Sequence, residues 1–180
     1  GGKAAAEFEA DVIIGVGGGS VIDAAKAISL LQAGRNKIQD YEYQSKIEVP
    51  INPIIAIPTT AGTGSEITKS AVITDTEQRL KITIRDPKLA PTLAILDPET
   101  IFTVPPSTAA STGMDALVHA VEAYTGRASN PISDIMAVSA VERIYPSLRY
   151  VTQNDEDMKH KYNMMLGSLL AGIAFSHSDV

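Results

Sequence analysis

The segment Gly15-Val-Gly-Gly-Gly-Ser20 restricts what this chain can fold into more than any other part of it. It overlaps the end of a short apolar run, Asp11 to Val16, and precedes a stretch from Val21 to Leu31 with apolar residues at 21, 22, 24, 25, 27, 28, 30 and 31. The run lacks polar alternation, the pattern of a parallel strand covered on both faces. The stretch has helical spacing, and Gly34 is placed to end it. Strand, glycine turn and helix in that order bring bare N–H groups to a helix start, where an anion can approach without meeting a Cβ. A nucleotide pyrophosphate is the natural guest, because open α/β sheets bind ligands outside the carboxyl ends of their strands. Alone, such a turn serves tight packing equally well. Ser20 stands where the dinucleotide fingerprint has its third glycine, and no acidic residue closes a following strand about 20 residues on. The Gly-Lys-Ser/Thr of a nucleoside triphosphate loop is absent. Ser20 and Asp23 also fit a capping box, in which both side chains satisfy early helical donors.

Around this unit the pattern predicts a helix over Lys3 to Ala10, a polar stretch from Arg35 to Pro53 and a second buried strand at Ile54 to Ile57. Strand, helix and strand make a βαβ unit with a right-handed crossover. Ala71 to Ile84 reads as a hairpin around a polar turn at Asp75 to Gln78, and Thr92 to Leu96 as a short strand closed by Asp97-Pro98. From Pro105 onward only helical spacing remains, in Ser107 to Tyr124, Ile132 to Tyr145 and Glu156 to Phe175, with breaks at Gly126 to Pro131 and at Pro146. The expected organisation is an α/β part over residues 1–104, with a parallel sheet and a hairpin, followed by an all-helical part over residues 105–180, divided near Val104.

Composition narrows the function. An excess of acids over bases gives a net charge of −6, which disfavours a nucleic-acid partner. There is no cysteine, so disulfides, thiolate metal sites and cysteine nucleophiles are excluded together, and a reducing compartment fits. No apolar run approaches the roughly 18 residues of a membrane span, and Gly1 to Ala10 has no export-signal pattern. The expectation is a cytoplasmic protein without a membrane partner.

Two further segments carry chemistry. Pro58-Thr-Thr-Ala-Gly-Thr-Gly-Ser-Glu66 follows the second strand and faces the same sheet edge as the glycine turn, so its hydroxyls could line a ribose and phosphate channel or simply bond their own backbone. Lys81 on the hairpin could reach a phosphate or ribose oxygen. In Gly113-Met-Asp-Ala-Leu-Val-His-Ala-Val-Glu-Ala-Tyr124, Asp115 and His119 are four residues apart on one helical side, with Glu122 three further on. A carboxylate and an imidazole so placed suit a divalent transition metal, or form an ion pair. His160, in the acidic stretch Asn154 to Lys161, reads as solvated. His177, after the apolar stretch Leu169 to Phe175, could cap that helix or approach a metal.

Three segments in order, Gly17-Gly-Gly-Ser-Val-Ile-Asp-Ala-Ala-Lys-Ala27, Pro58 to Glu66 and Gly113 to Glu122, resemble the iron-containing (group III) alcohol dehydrogenases, a likeness that covers Asp11 to Ser176. The resemblance implies a dehydroquinate synthase-like fold and a hydride transfer between a small alcohol or aldehyde and NAD or NADP. Gly18, Gly19, Ser20 and Asp23 would bind the diphosphate region, and Thr59, Thr60, Thr63, Thr68 and Lys81 would line the rest of the cofactor cleft. Asp115 and His119 would be two of four ligands to a divalent metal, iron first and zinc second. Against that pattern the chain starts after the segment that chooses between NAD and NADP and stops before two more histidine ligands, so it reads as the middle of such an enzyme. The family usually has asparagine where His177 stands, so no ligand role passes to His177. A homo-oligomer is expected, since uncovered sheet edges and apolar helix faces tend to pair. Two alternatives stay open: a metal-free relative such as a maleylacetate reductase, with Asp115 and His119 only an ion pair, or an inactive fragment that self-associates through uncovered faces such as Leu169 to Phe175.

Overall fold

Thr59 N–H donates to the Gly17 carbonyl at 3.0 Å, which brings the second chemical loop beside the glycine turn at the end of a parallel sheet. The computed structural model describes residues 1–34, 37–42, 47–153 and 157–178. Strand β1 (Ile13–Gly17) pairs in parallel with β2 (Ile54–Pro58), which pairs in parallel with β5 (Leu93–Ala94), in the order β1-β2-β5. Helix α1 (Gly2–Glu7) precedes β1, and α2 (Gly19–Ala33) forms the crossover, ending at Gly34 as its spacing requires. Strands β3 (Ser70–Asp75) and β4 (Leu80–Arg85) form an antiparallel hairpin with Thr74 opposite Lys81, Val72 opposite Thr83 and Ser70 opposite Arg85. Three helices complete the chain, α3 (Pro106–Thr125), α4 (Pro131–Val151) and α5 (Met158–Ser178). They pack around Ala116, Ala120, Ala140 and Ala171, small residues that let the helices approach closely, with Ile144 and Met164 filling the space between them, and Ala61 of the threonine loop joins the same core.

Several expectations need correction. Strand β1 is covered on one face only: the Gly15 side lies against Ala25 and Ile22 of α2, whereas Ile14 and Val16 are 54% and 55% exposed. The third strand shrinks to Leu93–Ala94, although Thr92 and Ile95 still donate to Ile54 and Ala56. Pro146 does not interrupt a helix; α4 runs through it. Pro146 and Glu142, four residues before it, are both exposed, a face on which a carbonyl without a helical partner can be hydrated. The capping box at Ser20 and Asp23 is absent, because Gly18 occupies the cap position without a side-chain bond and Asp23 faces the hairpin. The stretch Leu169 to Phe175 is covered rather than free: Ala171, Gly172 and Ala174 are buried between the helices. The exposed apolar side chains sit elsewhere, among them Val118, Val121 and Tyr124 on α3 and Ile135 and Val138 on α4. The last helix was read from Glu156, which lies outside the described residues, as do parts of the polar stretch Arg35 to Pro53. No helix among the described residues is long and apolar enough to cross a membrane.

The hairpin is tied to α2 by Lys26, which is fully buried. Its ammonium donates to the carbonyls of Thr68 at 2.9 Å and Ser70 at 2.7 Å and to Thr68 Oγ1 at 3.2 Å, with Asp23 Oδ1 at 3.7 Å. Burial pushes this lysine down to about 8, against the pull of the Asp23 and Glu66 charges. Below that pH folding must bury a cation; above it, and below the ordinary lysine range, only the unfolded chain holds the proton, so stability rises with pH.

Two outcomes follow from these features. In urea unfolding, the wild-type chain gains stability between about pH 8 and pH 10 relative to a Lys26→Met variant, which is less stable throughout because two carbonyls and two acids lose their partner; parallel pH profiles would rule Lys26 out as the source. Replacing Pro146 by Ala restores the missing hydrogen bond and raises unfolding free energy by about 1–3 kcal/mol, and a variant no more stable than wild type would show that α4 has already adapted to the ring.

Candidate functional site

The amino end of α2 opens onto a cleft of about 620 Å³ that reaches from the sheet to the helices. Gly19, Ser20 and Asp23 contribute from α2, and Thr63 and Thr68 from the threonine loop and the segment after it. Lys81 enters from the hairpin and Asp115 and His119 from α3. Residues from four separated segments therefore share one crevice. Gly18, Thr59 and Thr60 stand behind it: Thr60 packs over Gly18, and Thr59 is held to Gly17 through its backbone.

Local packing sets each side chain. The extended Gly18 leads into α2 with no side chain bonded to its first N–H groups, so the donors of the helix start remain available at the cleft. Asp23 is buried, and its Oδ2 accepts from Val72 N at 3.0 Å while Oδ1 is buried without a hydrogen-bond partner. Burial raises its pKa, opposed by the Val72 N–H, the Lys26 charge and Ser65. Glu66, also buried, is raised for the same reason and lies outside the cleft lining. Thr68 accepts from Lys26, which leaves its own hydroxyl proton free to donate toward the cleft.

On the helical side, Asp115 Oδ1 lies 3.9 Å from His119 Nε2. The imidazole is tilted at 51° against the Phe175 ring with centroids 4.7 Å apart, and its Nδ1 is buried without a hydrogen-bond partner. Glu122, on the same side of α3, is exposed and does not reach the cleft. His177 turns back on its own helix, its Nδ1 at 2.8 Å from the Ile173 carbonyl. His160 is not merely solvated: it stacks on Tyr150 at 4.1 Å and meets Ser147 Oγ at 3.3 Å. Among the described residues no three histidine or acidic side chains cluster as a metal site.

The sequence reading missed part of the lining. Ser70, Val72, Thr74, Thr83 and Arg85 share with Lys81 the hairpin face that borders the cleft, and Lys69 adjoins them. Their alternation was visible once the hairpin was drawn, since positions 70, 72 and 74 lie opposite 85, 83 and 81. Phe175 and Ser176 enter from α5, which periodicity alone could not aim. Lys26 was legible only as a charged residue breaking an apolar helix face.

Known proteins bear on this arrangement. The sequence model for iron-containing alcohol dehydrogenases matches residues 1–98, and that for the C-terminal part of the same family matches residues 109–180. Alcohol dehydrogenase 4 of Schizosaccharomyces pombe is 44% identical over 94% of this chain and 40% of its own length. The NAD-dependent methanol dehydrogenase of Bacillus methanolicus is 42% identical over 94% of this chain and 45% of its own. The crystal structure of a 1,3-propanediol oxidoreductase superposes with a TM-score of 0.95 at 35% identity, over 99% of this chain and 47% of that one. This chain thus spans under half the length of these relatives. With both halves matched in order and the glycine turn, threonine loop and α3 pair gathered at one cleft, the chain belongs to the iron-containing alcohol dehydrogenase family.

Proposed function

We propose that this chain supplies the dinucleotide wall and part of the metal wall of an NAD(P)-linked alcohol dehydrogenase, which moves hydride between a small alcohol and a nicotinamide ring. The observation that carries the reading is the shared cleft, with unobstructed helix-start donors on the α/β side and the Asp115–His119 pair on the helical side. The division near Val104 belongs to this reading, as does the assignment of Thr59 and Thr60 as supports of the cofactor loop.

The residues fit both groups. A cleft of about 620 Å³ has the size of a cofactor site. Donors each about 2.1 Å from one ion can be at most about 4.2 Å apart, so Asp115 Oδ1 and His119 Nε2 at 3.9 Å can share one. A carboxylate with an imidazole suits iron or zinc. When bound, these groups supply a Lewis acid for the alcohol oxygen and a hydride acceptor in the nicotinamide.

The protein's own part is binding and placement. Gly19, Ser20 and the amide end of α2 hold the diphosphate, with Lys81 adding positive charge from the hairpin. Asp23, beside that anion, serves better as an anchor between α2 and the hairpin, through the Val72 N–H and the Lys26 charge, than as a phosphate ligand. Thr63 and Thr68 donate hydroxyl protons. Phe175 shields one face of the His119 imidazole from water and fixes its plane. Among the described residues, the carboxyl groups lining the cleft are Asp23 and Asp115 and the imidazole is His119, so no separate general base stands there; the alcohol proton passes to solvent or ribose hydroxyls. Small primary alcohols, diols and their aldehydes fit the family range, in line with the methanol and propanediol named for two relatives.

Fluorescence titration with NADH tests the dinucleotide wall: a Ser20→Glu variant places a negative charge at the diphosphate and weakens binding at least about tenfold, and equal affinity would refute the placement. Titration with Co²⁺, followed by histidine ring NMR signals, tests the other wall. His119 responds before His160 and His177, and Asp115→Asn or His119→Ala each weakens binding by about tenfold or more. Indifference of both variants, or no binding at all, favours the metal-free reductase reading instead.

A further inference from the structure

The loop from Pro58 to Glu66 touches both the glycine turn and the helices, and it meets each neighbour through a position without a side chain. Toward α2, a Cβ on Gly19 would lie 2.6 Å from Thr63 Oγ1. Toward α3, a Cβ on Gly62 would lie 2.7 Å from the Thr112 carbonyl oxygen. Toward α5, Gly64 takes a left-handed conformation, φ +64°, and a Cβ there would lie 2.9 Å from Gly172 Cα. From the other side, a Cβ on Gly172 would lie 3.2 Å from Gly64 Cα and 2.7 Å from Ile67 Cγ2. Ordinary carbon contacts are about 3.5–4.0 Å, so the obstacles on the helical side include backbone that cannot rotate away.

These contacts sit next to the chemistry. Thr112 is three residues before Asp115, and Gly172 is three before Phe175, whose ring rests on His119. We propose that the backbone contact between Gly64 and Gly172 is the spacer that sets the width of the cleft, and that Gly172 is a positioning residue for the nicotinamide half of the dinucleotide. The inference rests on the cleft being a dinucleotide site. A methyl at residue 172 pushes the threonine loop and α5 apart. The adenine and diphosphate half, held by α2 and the hairpin, stays where it is, whereas a ligand that must also meet the helical wall loses that contact. Reacting groups tolerate displacements of only about 1 Å, so one methyl suffices.

The test compares ADP, which occupies the glycine-turn wall alone, with NADH, which spans both walls, on the whole 180-residue chain. Gly172→Ala is expected to weaken NADH about tenfold and to leave ADP within about twofold. Gly62→Ala, which presses on α3 instead, gives the same selective loss and serves if Gly172→Ala does not fold. Gly167→Ala, on the same helix as Gly172, is the matched control: its Cβ would collide with Ile144 Cγ1 of α4 at 2.5 Å and not with the loop, so it lowers stability and weakens both ligands equally or neither. Parallel loss of ADP and NADH in Gly172→Ala, unchanged NADH affinity, or NADH-selective loss in Gly167→Ala overturns the spacer. A wild-type chain that binds neither ligand overturns the dinucleotide reading and this inference with it.

Discussion

A single buried ammonium, that of Lys26, holds together the surfaces on which the site is built. It is placed on the face of α2 that packs toward the hairpin, and its three hydrogen bonds go to Thr68 and Ser70 where the chain enters β3. A hydrophobic residue there would leave two carbonyls buried without donors, a penalty that exceeds the packing it gained. The lysine therefore acts as a registration device as well as a source of stability. It fixes the hairpin against the helix whose amino end presents the anion site, and Asp23, one helical turn before it, meets the Val72 N–H of the same strand. Helix and hairpin are thus fastened at two adjacent points, one cationic and one anionic.

This arrangement accounts for how an acidic chain can offer the anion site proposed for it. The net charge of −6 is a property of the whole surface, but the cleft is bordered by Lys81 and Arg85 on the hairpin, by Lys69 just before it and by the positive end of α2. Two acids on the α2 side are restrained: burial raises the pKa of Asp23, which lines the cleft, and of Glu66 behind it. For such groups the folded state keeps its proton at a pH where the unfolded chain has lost it, so their contribution to stability falls as pH rises through the raised value. Their sign is opposite to that of Asp75, lowered by N–H donors at the hairpin turn and by Gln39. Local burial, and not overall charge, decides what the cleft attracts.

The parts of the fold that were legible in the sequence are those whose signal is local. Glycine and proline punctuation located β1, α2 and β2 and the hairpin to within a residue or two, and helical spacing found α3. Pro146 misled because the rule against proline in helices weighs the lost hydrogen bond and ignores where the ring points; on an exposed face the tertiary packing of α4 with α3 and α5 overrides it. The uncovered face of β1 was misread for a related reason. Apolar residues show what a strand can bury, not what lies over it. At the site, residues announced by spacing within one element, Ser20, Asp115 and His119, reached the cleft. Phe175 did not announce itself, since its role depends on how α5 crosses α3.

That crossing is the step from packing to chemistry. Ala116 and Ala120 flank Asp115 and His119 on α3, and both are completely buried. Their small side chains let α5 come close enough for the Phe175 ring to touch the imidazole, while Gly172, one turn earlier on α5, lets the same helix touch the threonine loop. A bulkier residue at either place would separate surfaces that the chemistry needs within reach of one ligand. The many small residues of the helical part therefore do not signal a weak core. They are the condition under which α3 and α5 bring Asp115, His119 and Phe175 to the cleft that the amino end of α2 also borders.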